Sequence, residues 1–333
     1  MTTGEQVTHV PLGRAGLRVS RLCLGTVNIG GRVDGPAASA LFDAALDRGI
    51  DFIDTADIYG WRVRQGHTEE VLGTWLARPG VRDRVVLATK VGSRFGTGPN
   101  DEGLSARHIV RACEASLRRL RTDHIDLYTM HQPDPATGWE EIWQAMDLLV
   151  TQGKVRYVGS SNFAGWQLAA AQEAARSRHT LGLVSEQCLY NPLVRHAELE
   201  IIPAAQHYGI GVLVWSPLHG GLLSGVLTKL ADGSAVKSAQ GRAAIALGEH
   251  REVVERFERL CAEHNRAPAE VGMAWTLAQP GVTSLVIGPR TPAHLEGALA
   301  AVHEPLDPDL EAAVAELLPP LGHGGPAPAA WIT

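Results

Sequence analysis

Short runs of apolar and β-branched residues recur along the chain, and longer stretches with helical spacing lie between them. Eight such runs stand out: 20–26 (SRLCLGT), 51–56 (DFIDTA), 85–91 (VVLATKV), 124–131 (HIDLYTMH), 155–161 (VRYVGSS), 183–190 (LVSEQCLY), 210–216 (IGVLVWS) and 283–288 (TSLVIG). Strands alternating with helices are the mark of a parallel sheet built from βα units. Helical spacing is clearest from Leu104 to Leu120 and from Trp139 to Val150, the latter stopping near Gly153 as a helix C-terminus does. Eight strands, each followed by a helix, predict an α/β fold closed into one (β/α)8 TIM barrel over residues 1–333, and argue against two domains.

Three segments stand outside that repeat. Ahead of the first strand, THVPLGRAGLRVS puts Gly13 and Gly16 between two short extended pieces, which predicts a β-hairpin placed to plug the N-terminal end of the barrel. Residues 231–249, small and polar for the most part, read as a mobile loop acting as a lid. At the C-terminus an extra helix gives way to a Pro- and Gly-rich tail, 319–333, expected to be irregular, with Trp331 as a possible anchor.

Composition narrows the class. Lys+Arg 30 against Asp+Glu 36 gives a net charge of -6 without a basic cluster, which excludes nucleic acid as an expected partner. Four cysteines (Cys23, Cys113, Cys188, Cys261) lie far apart, so neither a disulfide framework nor a zinc site is expected. The first ten residues lack the charge and apolar pattern of a secretion signal, and no apolar run reaches the roughly 20 residues a membrane span needs. A cytoplasmic protein with no membrane partner is the expectation, its oligomeric state left open. G-x-G-x-x-G after the first strand and P-loop motifs are both absent, which disfavours a Rossmann dehydrogenase and a P-loop phosphotransferase. The 14 histidines lack the spacing of a metal-dependent barrel hydrolase.

Barrel enzymes carry their chemistry where strands end at the C-terminal face. There the second strand ends in Asp54 and runs into Tyr59, the third ends in Lys90 and the fourth in His131. Taken singly, these read as a strand-end turn, a rim aromatic, a surface charge and a core histidine. As a set at three consecutive strand ends they form an acid–base unit. A free tyrosine ionises near about 10 and exchanges protons poorly at neutral pH unless its phenolate is stabilised, as a nearby ammonium would do. Lys90 would supply that charge, Asp54 would offset it and fix its place, and His131 would orient a substrate oxygen.

The segments FIDTADIYG, LATK and DLYTMHQPD resemble the catalytic tetrad of the aldo-keto reductases, with Asp54, Tyr59, Lys90 and His131 on the four matching positions. The resemblance runs from about residue 8 to 302. It implies a small-molecule carbonyl substrate, a nicotinamide cofactor, and hydride transfer with Tyr59 as proton donor. Within it, Ser161, Asn162 and Gln187 match positions that hold the nicotinamide carboxamide, and Trp215 a ring that stacks on the nicotinamide. Ser216, Leu218 and Gly221 match the pyrophosphate segment, and Thr26 and Gly288 join the cofactor set from the ends of the first and last strands. Arg290 matches a basic residue that grips the adenosine 2′-phosphate, which favours NADPH with NADH still open. Departures lie close by: His294 stands where a longer polar or basic side chain is common, and Gly297 and Ala298 replace an acidic residue and an asparagine that contact adenine.

Substrate identity is less legible. The segments GWRVRQGHTEEVLGTWLA and SSNFAGWQLAAAQEAA resemble bacterial members including the nucleotide-deoxysugar 2,3-enoyl reductases, which makes a nucleotide-linked keto-deoxysugar an alternative substrate, its diphosphate within reach of Arg62 and Arg64. A reading of another class is a nicotinamide-sensing regulatory subunit like the potassium-channel β subunits. It ranks below catalysis because no partner-binding segment is evident.

Overall fold

The structure, a computed structural model, describes residues 6–233 and 241–322. Two short strands, β1 (His9–Pro11) and β2 (Arg18–Ser20), pair antiparallel with Val10 opposite Val19. Eight parallel strands follow: β3 (Leu22–Gly25), β4 (Phe52–Asp54), β5 (Val86–Val91), β6 (Ile125–Met130), β7 (Val155–Ser161), β8 (Leu183–Leu189), β9 (Gly211–Trp215) and β10 (Val282–Ile287). Each bonds to its sequence neighbour, and β10 returns to pair with β3, closing the barrel. All eight coincide with the apolar runs read from the sequence.

Helices α1 (Gly35–Asp47), α2 (His67–Leu76), α3 (Ala106–Leu120), α4 (Trp139–Thr151), α5 (Gly165–Ser177) and α6 (Ile201–Tyr208) alternate with the strands. After β9 come α7 (Val226–Ala231), α8 (Gly241–Glu263) and α9 (Pro268–Ala278); after β10 come α10 (Pro292–His303) and α11 (Pro308–Leu317). The α3 helix begins two residues later than the apolar pattern begins, because Ser105 is its cap: the Ser105 Oγ accepts from the His108 N–H at 3.3 Å. Its partner α4 gives out where expected, at Gly153, whose φ of 71° only glycine adopts freely.

The hairpin does plug the barrel. Leu12, Ala15 and Val19 pack against the inward-facing Cys23, Phe52, Ala88, Leu127, Val184 and Leu213, all of them buried. Gly13 allows this approach: with φ 56°, a Cβ there would stand 2.4 Å from the Gly209 carbonyl oxygen. A second, larger apolar layer fills the space between strands and helices, with Trp75, Trp143 and Trp275 buried in it. All four cysteines are buried free thiols.

One expectation is corrected in part. Of the 231–249 stretch read as a lid loop, residues 241–249 form the first turns of α8; residues 234–240 lie outside those described. Leu247 and Val254, seven apart and on one face, pack on Leu222 and Val226, and that apolar contact favours helix over loop. The tail follows α11, and the carbonyl of Leu318, the residue that caps it, accepts from Arg195 Nη1 at 2.6 Å. Residues 323–333, including Trp331, lie outside the described residues. Among the described residues, no helix is long and apolar enough to cross a membrane.

Candidate active site

Strand register brings the four predicted residues to one end of the barrel. Asp54 ends β4 and lies in register with Ala88, two residues before Lys90 on β5; His131 directly follows β6, its N–H bonded to the Val91 carbonyl at 2.8 Å. Lys90 is fully buried, and its Nζ donates to Asp54 Oδ2 at 2.5 Å and to the Thr55 carbonyl at 2.9 Å. The other Asp54 oxygen accepts from Gln187 Nε2 at 3.0 Å, so the carboxylate is bound on both sides. A buried ammonium survives only with such pairing. Burial works against the charge of Lys90, but Asp54 and then Tyr59 outweigh it and lift its pKa above the ordinary value.

Tyr59 stands on the loop after β4, its ring centre 5.2 Å from Lys90 Nζ and 6.0 Å from that of His131. The sequence reading expected Lys90 to favour the phenolate. Its charge does pull that way, but burial pulls harder in the opposite sense, and Asp54, which neutralises Lys90, adds to it; the phenol pKa is raised. Tyr59 is therefore held as a phenol, with a proton to give. Burial first, and Lys90 second, push the His131 pKa down to about 3, so its imidazole is neutral at physiological pH. The Ser93 Oγ lies 3.3 Å from His131 Nδ1, a partner the sequence reading missed.

A polar ring borders this group. Ser161, ending β7, donates its hydroxyl to the Gln187 carbonyl at 2.8 Å. Asn162, in the left-handed region at φ 62°, donates to the His131 carbonyl and to Ser161 Oγ, each at 3.0 Å, and accepts from the Trp215 indole N–H at 3.1 Å. Trp215 ends β9 with its indole partly exposed at the mouth. Beyond it, Ser216, His219, Gly220 and Gly221 all have positive φ, and a Cβ on Gly220 would meet nothing within 4 Å. The loop holding Ser216, Leu218 and Gly221 thus offers open backbone beside an exposed indole, which fits a flat ring followed by a phosphate chain. Gln187 Oε1 and the second lone pair of Asn162 Oδ1 remain to receive a carboxamide.

Other predicted residues serve differently. Thr26 is buried, and both its N–H and its hydroxyl bond the Asp54 carbonyl at 3.0 Å, so it props the strand end from below. Gly288 is exposed, its carbonyl held by Asn28 Nδ2 at 3.0 Å. Arg290 is exposed, with its guanidinium free of any carboxylate among the described residues. His294 Nδ1 instead accepts from the Arg290 N–H at 3.2 Å, and burial, then the Arg290 and Lys229 charges, lower its pKa. His294 is thus a neutral turn cap and adds no positive charge. Ala298 is buried on the core side of α10. Arg64 makes an exposed ion pair with Glu70.

One buried acid escaped the sequence reading. Asp57, three residues after Asp54, is 1% exposed, and neither of its oxygens has a hydrogen-bond partner among the described residues. Burial, reinforced by the charge of Glu69, pushes its pKa up to about 8. Glu69 itself is buried, accepting from Thr89 at 2.6 Å and from Arg119 at 2.7 Å. The acid that ends the FIDTAD run was the available signal, and the sequence analysis does not single it out.

Comparison with known proteins agrees with this geometry. Residues 21–319 match the model of the aldo/keto reductase family. The chain is 47% identical over 325 residues to an uncharacterized oxidoreductase, YrpG, of Bacillus subtilis (strain 168), covering 96% of this chain and 98% of that one. It is 34% identical over 292 residues to a probable voltage-gated potassium channel subunit beta of Oryza sativa subsp. japonica (83% and 85% covered), and 33% identical over 299 residues to one of Arabidopsis thaliana (87% and 90%). Fold, strand-end chemistry and sequence match together place this chain in the aldo/keto reductase family.

Proposed function

We propose that the protein is an oxidoreductase that reduces the carbonyl of a small molecule with NADPH. The observation that carries this reading is the Lys90–Asp54 ion pair, buried beneath the ring of a tyrosine that keeps its proton, with a neutral His131 on the other side. Bound dihydronicotinamide would supply hydride to the carbonyl carbon. Tyr59 Oη gives its proton to the carbonyl oxygen as negative charge develops there, and the adjacent Lys90 ammonium stabilises the phenolate left behind. Asp54, held by Gln187, keeps that ammonium in place. In the tautomer with its proton on Nε2, His131 Nδ1 accepts from the Ser93 hydroxyl and His131 is a second donor to the same oxygen. Trp215 would back the nicotinamide, and Ser161, Asn162 and Gln187 its carboxamide. Arg290, exposed and without an ion pair among the described residues, favours the 2′-phosphate of NADPH, because a planar guanidinium can bind a phosphate bidentately.

An oxidoreductase relative at 47% identity supports catalysis over the channel-subunit likeness at 34%. Oxidation of NADPH, and separately of NADH, with a benzaldehyde acceptor tests the reading. Tyr59→Phe should lower kcat by at least about 100-fold, as loss of a positioned general acid does, while leaving NADPH affinity within a fewfold by fluorescence titration. Turnover retained in the variant would refute Tyr59 as the acid.

A further inference from the structure

Two arginines at the mouth have no part in the scheme above. Arg32 lies between β3 and α1, and Arg62 follows Tyr59 by three residues. Gly31 lets their loops meet: a Cβ on it would stand 3.1 Å from Arg62 Cδ and 3.3 Å from Arg62 Cβ, so the Arg62 stem lies along the Gly31 backbone. Asn28, Gly31, Arg32, Gly60, Trp61 and Arg62 line the cleft between these loops. Both guanidiniums are exposed, and neither makes an ion pair or hydrogen bond among the described residues, whereas nearby Arg64 and Arg94 are paired with Glu70 and Glu102. Partial burial, then the charges of Arg62 and Arg290, hold Arg32 below the ordinary arginine pKa. Cations brought together without a counter-charge repel one another, and an anion between them relieves that repulsion.

We propose that Arg32 and Arg62 form an anion clamp beside the catalytic mouth that takes the phosphate or carboxylate of the substrate, making the substrate class anionic carbonyl compounds. The proposal rests on the carbonyl-reduction reading. The placement of Arg62 favours substrate over cofactor. Arg62 is on the loop of Tyr59 itself, and the half-exposed Trp61 between them stands 6.0 Å from the Tyr59 ring, edge to face. Arg290, the residue suited to the cofactor 2′-phosphate, follows β10, which pairs with β3, so along the rim the Arg32 loop stands between those of Arg290 and Arg62. A guanidinium pair can bind a phosphate through several charge-assisted hydrogen bonds at once.

Two measurements test the clamp. Pyrophosphate titrated calorimetrically into NADPH-loaded protein should bind, and the Arg32→Ala/Arg62→Ala double variant should bind it at least tenfold more weakly. In kinetics, kcat/KM for glyceraldehyde 3-phosphate should exceed that for glyceraldehyde by at least tenfold, mostly through KM, and the double variant should erase the ratio. A ratio near one in the natural protein, or no pyrophosphate binding, overturns the proposal. So does a double variant that weakens NADPH binding as Arg290→Ala would, since the arginines then hold the cofactor. Pyrophosphate binding without turnover of either aldehyde would sink carbonyl reduction and this substrate class with it; turnover without the ratio sinks the clamp alone.

Discussion

Asp57 shows how one side chain can set a pH dependence from below the site. An unfolded aspartate ionises near about 3.9, whereas burial and the charge of Glu69 push Asp57 up to about 8. Between those values the folded protein holds a proton that the unfolded chain has released. Stability therefore declines as pH rises through that window, by up to about 1.4 kcal/mol per pH unit, and levels off above it. Asp57→Asn removes the titration. The variant should be more stable than the natural protein at pH 7.5 by several kcal/mol, since about 1.4 kcal/mol per pH unit accrues from about pH 3.9 upward, with the gap closing near pH 4. Urea unfolding of both proteins across pH 4 to 9 measures the gap, and a gap independent of pH would assign the titration elsewhere. Glu186, also pushed up to about 8 by burial although bonded to Ser160 and the Phe163 N–H, contributes equally to both proteins and cancels in that difference.

At the scale of elements, the crossing of α2 on α3 supports the site. Glu69 on α2 binds Arg119 on α3 and, through Thr89, the residue before Lys90 on β5. The helices approach closely because Gly73 has no side chain: a Cβ there would lie 2.1 Å from the Arg119 carbonyl oxygen and 2.8 Å from the Leu120 backbone. Alanine at a helix interior ordinarily gains up to about 1 kcal/mol over glycine, and overpacking costs about 1–3 kcal/mol. With rigid backbone as the obstacle, the second term wins. Gly73→Ala should lower Tm by several degrees in a thermal melt, and a rise in Tm would show that α2 can shift freely.

The whole molecule separates stability from chemistry along the barrel axis. The hairpin plug and its layer of Cys23, Phe52, Ala88, Leu127, Val184 and Leu213 close the N-terminal end, while Lys90, Tyr59 and Trp215 face the other. Leu12 is fully buried in that plug. Leu12→Ala should cost about 2–5 kcal/mol in denaturant unfolding and leave NADPH affinity of the folded protein within about twofold. An equal loss in both would mean that the plug and the mouth are coupled through the strands.

The alternation of apolar runs with helical stretches determined the barrel by itself, because strands buried inside helices must be apolar wherever they fall, and eight of them leave one way to close. The grouping of Asp54, Tyr59, Lys90 and His131 at one end of the barrel was legible for a related reason: polar residues at the ends of buried strands have few structural uses. Periodicity also located α3 and α4 to within two residues. Tertiary structure decided what depends on neighbours far away in sequence. Whether Tyr59 keeps its proton turns on the balance of burial against a Lys90 already spent on Asp54, and Arg64 differs from Arg62 only in having Glu70 beside it. Residues 241–249 read as loop as part of the stretch 231–249, small and polar for the most part, whereas the packing of Leu247 and Val254 on Leu222 and Val226 favours helix there. Local pattern fixes which backbone forms; charge state, pairing and exposure are sums over the surroundings, and those exist only once the chain has folded.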